Sequence, residues 1–361
     1  MPYRHRSQGE GNGVSTTSEV DVAAVPIGLG FTPFEDRLDV IDRVAVHAEL
    51  RGLAFVSVAE AMGLAAPLVL ARLALKTQRI GLTTGVLSIW SSTPATLALT
   101  AAELQRQSAG RFVLGLGAST PPITEGFHGQ PWQAPLDRMQ QTCLAVRALL
   151  RGERLPAAPE GARSLQLARP PETPVPIALA AITAPSIRLV GAIADQWLPF
   201  LLPAVAIDAG RELMADTAAA HHPGSTLPTV TAAVPVALAP DEAGAARIAA
   251  RWLVTYATRM GPVYPRVLRA HGYRRELDAL LEANTDPRHP VLPSQATRLA
   301  DDVLVFGTYQ DAPGLCRRWQ AHADALALVA PFGVTADDLV ATIDAVASES
   351  ATAGGPAMLS A

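Results

Sequence analysis

Short apolar runs alternate along this chain with longer segments in which hydrophobic residues recur at helical spacing. The apolar runs have roughly the four to eight residues of a buried strand. The segments between them, such as Arg37–Arg51 with Leu38, Ile41 and Val44 on one face, have the periodicity of amphipathic helices. Eight runs are predicted as strands: Val25–Phe31, Phe55–Glu60, Ile80–Leu87, Phe112–Leu116, Val175–Ala181, Gln196–Phe200, Thr229–Leu238 and Asp324–Ala330.

Strand–helix alternation of this kind predicts parallel strands joined by crossover helices. Eight strands with intervening helices fit a (β/α)8 TIM barrel of the α/β class. Two additions interrupt the regular pattern. A long helical segment is predicted over Asp241–Asn284, and the proline-rich stretch Ser164–Pro176 is consistent with a short hairpin before the fifth strand.

No change of composition marks a domain boundary. We therefore predict one domain over residues 20–349, with tails at residues 1–19 and 350–361. The first tail is polar, is rich in glycine and serine and lacks the apolar core of a signal peptide, so we expect it to be disordered. No apolar run approaches the roughly 20 residues that cross a bilayer. These features predict a soluble, cytoplasmic protein with no membrane partner.

The composition is that of a protein with a sizeable core. Of the 361 residues, 49% are hydrophobic and 17% are charged, and the formal net charge is −4. The arginines are scattered, so no nucleic-acid partner is expected. Cys143 and Cys316 are predicted to be buried and to pack as small hydrophobic residues, and a disulfide is the alternative. The only lysine, Lys76, is expected at the face of the barrel opposite the strand ends that bind ligands, which argues against Schiff-base chemistry.

The stretch Ile80–Thr120 carries the most information, because it predicts one strand–helix–strand unit. Its helix starts with hydroxyl residues and a proline in the first turn, at Thr93 and Pro94. Its second strand ends in Gly117-Ala118-Ser119-Thr120. Both strands therefore end in small residues, where a rigid planar ligand can lie close to the backbone.

This stretch resembles the core signature of the bacterial-luciferase-like superfamily, above all its deazaflavin (coenzyme F-420)-dependent oxidoreductases. The signature is TTGVLSIWSSTPATLALTAAELQRQSAGRFVLGLGAS, and the segments FVSVAEAMG, TEGFHGQPW and VPIALAAITAPSIRLVGAIADQWLP agree with the superfamily elsewhere. The resemblance extends from about Gly28 to Val346. It implies a barrel with a flavin-like ring at the carboxyl ends of its strands. It also implies a non-prolyl cis peptide bond at Gly85–Val86, behind the ring.

Three sets of residues at strand ends are candidates for binding that ring and its phosphate-bearing tail. Gly85, Val86 and Leu87 would supply a flat apolar wall. Thr183 and Pro185 predict a helix start whose free amides face an anion, although Thr183 could equally be a helix cap without a ligand. The implied cofactor is coenzyme F-420, with FMN as the alternative. The cofactor-binding candidates are Gly85, Val86, Leu87, Gly117, Ala118, Ser119, Ala181, Ile182 and Thr183.

Two residues are candidates for proton transfer. Glu60 ends the second strand, where the superfamily has an acidic residue; a structural hydrogen bond to a neighbouring loop is the alternative. His128 lies in the loop after the fourth strand, where a neutral imidazole can exchange a proton near neutral pH. For His128, a surface position without a catalytic role is the alternative.

Five aromatic residues near strand ends predict an apolar substrate pocket, with ordinary packing as the alternative for each. Tyr256 and Tyr264, in the long helical segment, are interpreted as a lid over that pocket or as an oligomer contact. No metal site is predicted, because His221-His222 lies in a loop without cysteine or carboxylate ligands at suitable spacing. The pocket candidates are Trp90, Phe127, Trp132, Trp197 and Phe200.

The chain departs from the superfamily pattern at positions that are charged or polar in relatives. Ala61 stands where some F-420-dependent dehydrogenases have a catalytic histidine, and Ser92 where an arginine is common. Thr120 and Ile123 occupy positions that are acidic and amide-bearing in members that oxidise sugar phosphates. These departures disfavour a sugar-phosphate substrate and suit a neutral or hydrophobic one, such as a secondary metabolite.

Three hypotheses about function remain. The first is an enzyme that moves a hydride between the deazaflavin ring and a C=C, C=N or carbonyl group, with Glu60 or His128 handling the proton. The second is an FMN-dependent monooxygenase that receives reduced flavin from a separate flavin reductase. The third is a barrel that binds a flavin without catalysis. The expected partners are a small-molecule substrate and, by analogy with the superfamily, a second copy in a homodimer.

Overall fold

The computed structural model of the protein describes residues 25–156, 161–221 and 226–347. The predicted tails, residues 1–19 and 350–361, lie outside these ranges, as does most of the His221-His222 loop. The strands are β1 Ile27–Phe31, β2 Phe55–Val58, β3 Gly81–Thr84, β4 Leu87–Ser88, β5 Phe112–Gly117, β6 Ile177–Ala180, β7 Gln196–Leu198, β8 Thr229–Ala239, β9 Val305–Thr308 and β10 Ala325–Val329.

The strands form a closed ring in which all pairings are parallel. β1 lies between β2 and β10, with Leu29 opposite both Val56 and Leu328. The ring continues through β3, β5, β6 and β7 to β8, whose first half pairs with β10 and closes it. β3 and β4 are two parts of the predicted third strand, and both pair with β5. The predicted (β/α)8 TIM barrel is confirmed, with β9 outside the ring.

Helices pack around the barrel, and several of them begin at a capping side chain or a proline. Thr93 Oγ1 accepts the N–H of Thr96 at 3.2 Å, and Asp241 Oδ1 accepts the N–H of Gly244 at 2.6 Å. The helices are α1 Leu38–Leu50, α2 Ala66–Lys76, α3 Pro94–Gln107, α4 Pro121–Gly126, α5 Pro135–Leu150, α6 Ala184–Ile193, α7 Ala204–His221, α8 Glu242–Thr258, α9 Val263–Ala270, α10 Arg274–Ala283, α11 Thr297–Val303, α12 Ala312–Gln320 and α13 Ala336–Ala347, with a 3-10 turn at Ser294–Ala296.

The predicted helical segment Asp241–Asn284 is three helices, α8, α9 and α10. Gly261 and Gly272 separate them, with φ angles of 80° and 90°. Such angles interrupt a right-handed helix and are adopted readily only by glycine, which has no Cβ. The insertion predicted in this part of the chain is therefore present, but it folds back on itself twice.

One strand of the described ranges, β9, was not predicted from the sequence. The first half of β8 pairs with β10, and its second half, Val236–Ala239, pairs with β9. At 11 residues β8 extends past the end of β10, so its backbone groups need another partner there. β9 has only four residues and supplies that partner. A run this short carries little periodic signal.

The predicted hairpin over Ser164–Pro176 is wrong for the part of this segment that the structure describes. No strand is present between residues 161 and 176. The N–H of Leu155 donates to the carbonyl oxygen of Leu165 at 2.8 Å, but no ladder continues from this bond. The prolines of the segment explain the outcome, because proline has no N–H to donate to a ladder.

Three residues away from the carboxyl ends of the strands, Cys143, Cys316 and Lys76, have the predicted environments. Cys143 and Cys316 are buried and free, as predicted. Lys76 pairs with Asp42 at 3.2 Å, in the last turn of α2, which leads to the start of β3 and so lies at the face opposite the carboxyl ends of the strands. None of the helices in the described ranges combines the length and the hydrophobicity that a membrane crossing requires.

Candidate active site

The third strand is interrupted at the carboxyl rim of the barrel. The Gly85–Val86 peptide bond between β3 and β4 is cis, as the resemblance implied, and the Val86 carbonyl accepts the N–H of Glu60 at 3.4 Å. A Cβ on Gly85 would lie 1.9 Å from Ser57 Oγ, so a larger residue here would require the Ser57 hydroxyl to move. Gly85 and Val86 are half-buried, whereas Leu87 is buried and packs into the core instead of the predicted wall.

The ends of β5 and β6 lie beside this interruption. A Cβ on Gly117 would lie 2.4 Å from Val86 Cγ2 and 3.7 Å from Ala180 Cβ, so residues from three strands meet on one rim. Beyond Gly117 the chain turns through Ser119, with φ of 64°. Ala118 and Ser119 are half-buried. We call this small-residue surface the rim shelf, formed by Gly85, Val86, Gly117, Ala118 and Ala180.

The helix after β6 presents its N-terminus at the same rim. Thr183 precedes α6, its N–H donates to Ser186 Oγ at 3.1 Å, and the two hydroxyl oxygens are 2.8 Å apart. The N–H of Ile187 donates to the Thr183 carbonyl at 2.9 Å and begins the helical ladder. Before it, Pro185 has no N–H, and Ser186 forms a capping box with Thr183, which is the alternative role considered for Thr183. In this described turn the Ala184 N–H therefore remains for an anion. Such an end attracts anions. Ile182 and Thr183 are half-buried there, whereas Ala181 is buried.

Glu60 and His128 come within electrostatic range of each other beside the rim shelf. Glu60 Oε2 accepts the N–H of Ala66 at 3.0 Å, which is the structural bond considered as the alternative role. Burial raises the pKa of Glu60 above its ordinary 4.5, and the Ala66 bond and the His128 charge offset only part of that increase. Phe127 is 56% exposed and lies edge-on against the His128 ring, at 5.1 Å between ring centroids.

The other predicted pocket residues fall into two groups, and the first lies beside the rim shelf. Trp90 donates its Nε1–H to the Ala118 carbonyl at 2.7 Å. Its ring centroid is 5.6 Å from that of Trp132. The Arg138 guanidinium lies 4.4 Å from the Trp90 ring centroid and donates to the Ile89 carbonyl at 3.2 Å. Trp90 is itself buried, so this group both supports the shelf and borders it.

The second group surrounds Phe200, which follows β7. Its ring centroid is 4.9 Å from Tyr256 and 6.0 Å from Tyr264, and the two tyrosine rings are 5.0 Å apart. Phe34 and Phe332 were not predicted from the sequence, although they follow β1 and β10 in the same way as Phe200 follows β7. We call the group the aromatic wall: Phe34, Phe200, Trp252, Tyr256, Tyr264 and Phe332.

Trp197 does not belong to the pocket, so its prediction as a pocket residue is wrong. Its side chain is fully buried, and its Nε1–H donates to the Ala181 carbonyl at 2.9 Å. A Cβ on Gly210 of α7 would lie 2.1 Å from the Trp197 ring, so the ring packs between the barrel and that helix. Trp197 lies within β7, where side chains alternate between the two faces of the sheet, and it takes the outer face.

The connection between α8 and α9 reaches across the barrel mouth to the end of β5. A Cβ on Gly261 would lie 3.5 Å from Thr120 Cβ. The hydroxyls of Thr120 and Thr124 are buried and have no hydrogen-bond partner in the described part of the chain. Buried hydroxyls normally have a partner, so these two are candidates for contact with a ligand. Tyr256 and Tyr264 stand on either side of the crossing.

These features fit a planar cofactor with an anionic tail. The missing side chain at Gly117 keeps the rim shelf flat, the start of α6 can receive an anion, and the Thr120 hydroxyl lacks a partner. Across the described ranges, no group of three or more histidine, cysteine or carboxylate side chains is placed to hold a metal ion.

A parallel (β/α)8 barrel with an acid, a small-residue surface and aromatic side chains at the carboxyl ends of its strands has the layout of a TIM-barrel enzyme. Comparison with known families makes the class more specific. The chain belongs to the luciferase-like monooxygenase family, whose model matches residues 12–336. The predicted superfamily is confirmed, and the protein is a luciferase-like oxidoreductase.

Three known proteins illustrate the similarity. A Mycobacterium tuberculosis protein, provisionally named a coenzyme F-420-dependent oxidoreductase, is 29% identical over 308 residues, which cover 76% of this chain and 87% of the relative. The F-420-dependent tetrahydromethanopterin reductase of Methanopyrus kandleri has a TM-score of 0.71 at 16% identity, over 90% of this chain and 98% of that one. The oxygenating constituent of 3,6-diketocamphane monooxygenase from Pseudomonas putida, solved with FMN, has a TM-score of 0.63 at 20% identity, over 90% and 98%. At these identities the two structures support the fold alone.

Proposed function

We propose that the protein is a coenzyme F-420-dependent oxidoreductase that transfers a hydride to or from a small, uncharged organic substrate. The observation that carries the proposal is the close approach of Val86 and Ala180 to Gly117, where an added Cβ would lie 2.4 Å from Val86 Cγ2 and 3.7 Å from Ala180 Cβ. Three strand ends therefore lie side by side next to Glu60. The name of the Mycobacterium tuberculosis relative supports the choice of cofactor.

When bound, the cofactor supplies a deazaflavin ring that carries a hydride. The chain has to hold the ring and its tail. Gly85 and Val86 offer the ring a half-buried backbone surface without a large side chain. At the start of α6, the Ala184 N–H and the positive end of the helix dipole suit the phosphate of the tail. The unpartnered Thr120 hydroxyl is available to a polar atom of the bound molecules.

We assign proton handling to Glu60. Because burial raises its pKa, this carboxyl keeps its proton closer to neutral pH than an exposed glutamate does, which suits a general acid. Its Oε2 is held by the Ala66 N–H, whereas no described residue is hydrogen-bonded to Oε1. His128 is half-buried and can exchange protons between Glu60 and solvent.

The surroundings of the rim shelf suit an uncharged substrate. The aromatic wall has six rings, of which Trp252 is fully buried and packs against Phe200, Tyr256 and Phe332. Trp90 and Trp132 add two rings beside the rim shelf. Hydride transfer requires the donor and acceptor carbons in contact, with water excluded from between them. Rigid aromatic side chains achieve this exclusion at a low cost in conformational entropy.

A cofactor titration tests the proposal. Purified protein is titrated separately with coenzyme F-420 and with FMN, and the fluorescence of each cofactor is followed. We expect F-420 to bind with a micromolar or lower Kd and FMN to bind about tenfold or more weakly, a difference of about 1.4 kcal/mol. Binding of FMN alone in the micromolar range would refute the proposal.

An FMN-dependent monooxygenase supplied by a separate flavin reductase is the second candidate, and the description of the family favours it. A deazaflavin carries a hydride without activating oxygen, so the same titration separates the two functions. Light scattering on the purified protein tests the predicted homodimer independently.

A further inference from the structure

Tyr256 and Tyr264 form a compact pair within the aromatic wall. Tyr256 lies in the last turn of α8 and Tyr264 in the first turn of α9. Their rings meet edge to face, with centroids 5.0 Å apart, and both pack against Phe200. Two neighbouring helix ends therefore bring two phenol groups to one place.

Both phenol groups lack partners. Neither hydroxyl is hydrogen-bonded to another residue in the described ranges, although Tyr256 is buried and Tyr264 is half-buried. Burial raises the pKa of Tyr264 to about 12 and that of Tyr256 well above its ordinary value, so both remain protonated donors at neutral pH. A buried tyrosine usually finds a partner for its hydroxyl, because an unpaired donor loses its hydration without compensation.

The pair stands next to the rim shelf. Phe200, which contacts both tyrosines, follows β7, and β7 pairs with β6, whose last residue Ala180 belongs to the shelf. The α8–α9 connection, which lies between the two tyrosines, places Gly261 against Thr120, another buried hydroxyl without a partner.

The neighbours of the pair are apolar. Phe200 and Trp252 supply ring contacts, and the surrounding buried cluster includes Leu201, Leu253 and Leu268. In the described part of the chain, the cation–ring contacts involve Trp90 and Tyr273, outside this group. The site therefore combines an apolar aromatic surface with hydroxyl donors. One charged group borders the wall, because Arg251 Nη1 donates to the Phe332 carbonyl at 3.0 Å.

We propose that Tyr256 and Tyr264 donate hydrogen bonds to a carbonyl oxygen of an aromatic substrate whose rings lie against Phe200 and the rest of the aromatic wall. This inference rests on the proposed function for the place of the site beside the cofactor. It narrows the substrate class from small uncharged molecules to aromatic ketones and quinones. Two donors on one oxygen also orient the carbonyl group relative to the rim shelf.

Equilibrium dialysis of the cofactor-free protein against two matched probes tests the inference. The probes are β-acetylnaphthalene and β-isopropenylnaphthalene, which have nearly the same shape and differ in the carbonyl oxygen. We expect the wild type to prefer the ketone by about tenfold, which corresponds to one or two hydrogen bonds of ordinary net strength. Tyr256→Phe and Tyr264→Phe should each reduce ketone affinity by about threefold, and the double variant should lose the preference while still binding the hydrocarbon.

Tyr309→Phe is the matched control, because this hydroxyl lies 3.5 Å from the Asp338 carbonyl, away from the aromatic wall. It should keep the full preference for the ketone. The inference is overturned if the wild type binds both probes equally or binds neither, or if the double variant keeps the preference. It is also overturned if Tyr309→Phe loses the preference as well. The assay contains no cofactor, so a failure of F-420 to bind would refute the proposed function without affecting this result.

Discussion

Replacing Gly117 by alanine tests the packing that forms the rim shelf. The new Cβ would lie 2.4 Å from Val86 Cγ2, whereas carbon atoms in contact are normally about 3.5–4.0 Å apart. One of the two groups therefore has to move by about 1 Å or slightly more. Val86 is β-branched and its carbonyl is bonded to the N–H of Glu60, so it cannot simply rotate away. We expect a loss of about 1–3 kcal/mol in the free energy of unfolding.

The same change should weaken cofactor binding, because the shelf deforms where the ring is proposed to lie. Urea unfolding measures the stability, and the F-420 fluorescence titration measures the binding. The double variant Gly117→Ala/Val86→Ala removes the clashing methyl group and should recover much of the lost stability. Gly126→Ala is the control, because a Cβ there meets nothing within 4 Å.

Two results would refute this reasoning. If Gly117→Ala unfolds and binds F-420 like the wild type, then Val86 does not pack on Gly117 and the three strand ends do not form a tight surface. If Val86→Ala brings no recovery to the Gly117→Ala variant, the loss arises elsewhere. If Gly117→Ala has the stability of the wild type but binds F-420 more weakly, the substitution changes the surface of the rim shelf without disturbing its packing.

Two further predictions concern the acid and the buried tryptophan. If turnover depends on protonated Glu60, kcat/KM of the wild type should fall as the pH rises through the pKa of Glu60, which burial raises above 4.5. A pH profile of kcat/KM should show that Glu60→Gln loses this dependence. The variant should still bind F-420. Gly210→Ala places a Cβ 2.1 Å from the Trp197 ring and should lower the free energy of unfolding by about 1–3 kcal/mol, measured by urea titration. Cofactor affinity should stay unchanged, because Trp197 is a packing residue and not a pocket residue.

Local patterns predicted most of the regular elements. The helix α3 begins at Pro94 after the Thr93 cap, as predicted, because a hydroxyl cap and a proline in the first turn are local signals. The missed strand β9 and the split of Asp241–Asn284 into three helices show the limit of such signals. A four-residue run has too few positions to show a period, and two glycines within a polar, helix-forming segment do not by themselves reveal a change of direction.

The candidate site was predictable in part. The resemblance implied the cis bond at Gly85–Val86, and strand ends pointed to Glu60, Phe200 and the small residues of the shelf. Leu87 and Trp197 also lie near strand ends, yet both are buried in packing layers. Neighbouring positions on a strand point to opposite faces, so an error of one residue in the predicted strand end exchanges pocket and core.

The order and type of most strands and helices, and the rim on which their carboxyl ends lie, were determined by the sequence alone, because hydrophobic period and helix-start residues act between near neighbours in the chain. Closure of the barrel decided the rest: that Val86 contacts Gly117, that His128 lies near Glu60, and that Gly261 meets Thr120. These contacts join residues that are far apart in the chain. Their formation depends on the register and length of every strand between them, which no local pattern contains.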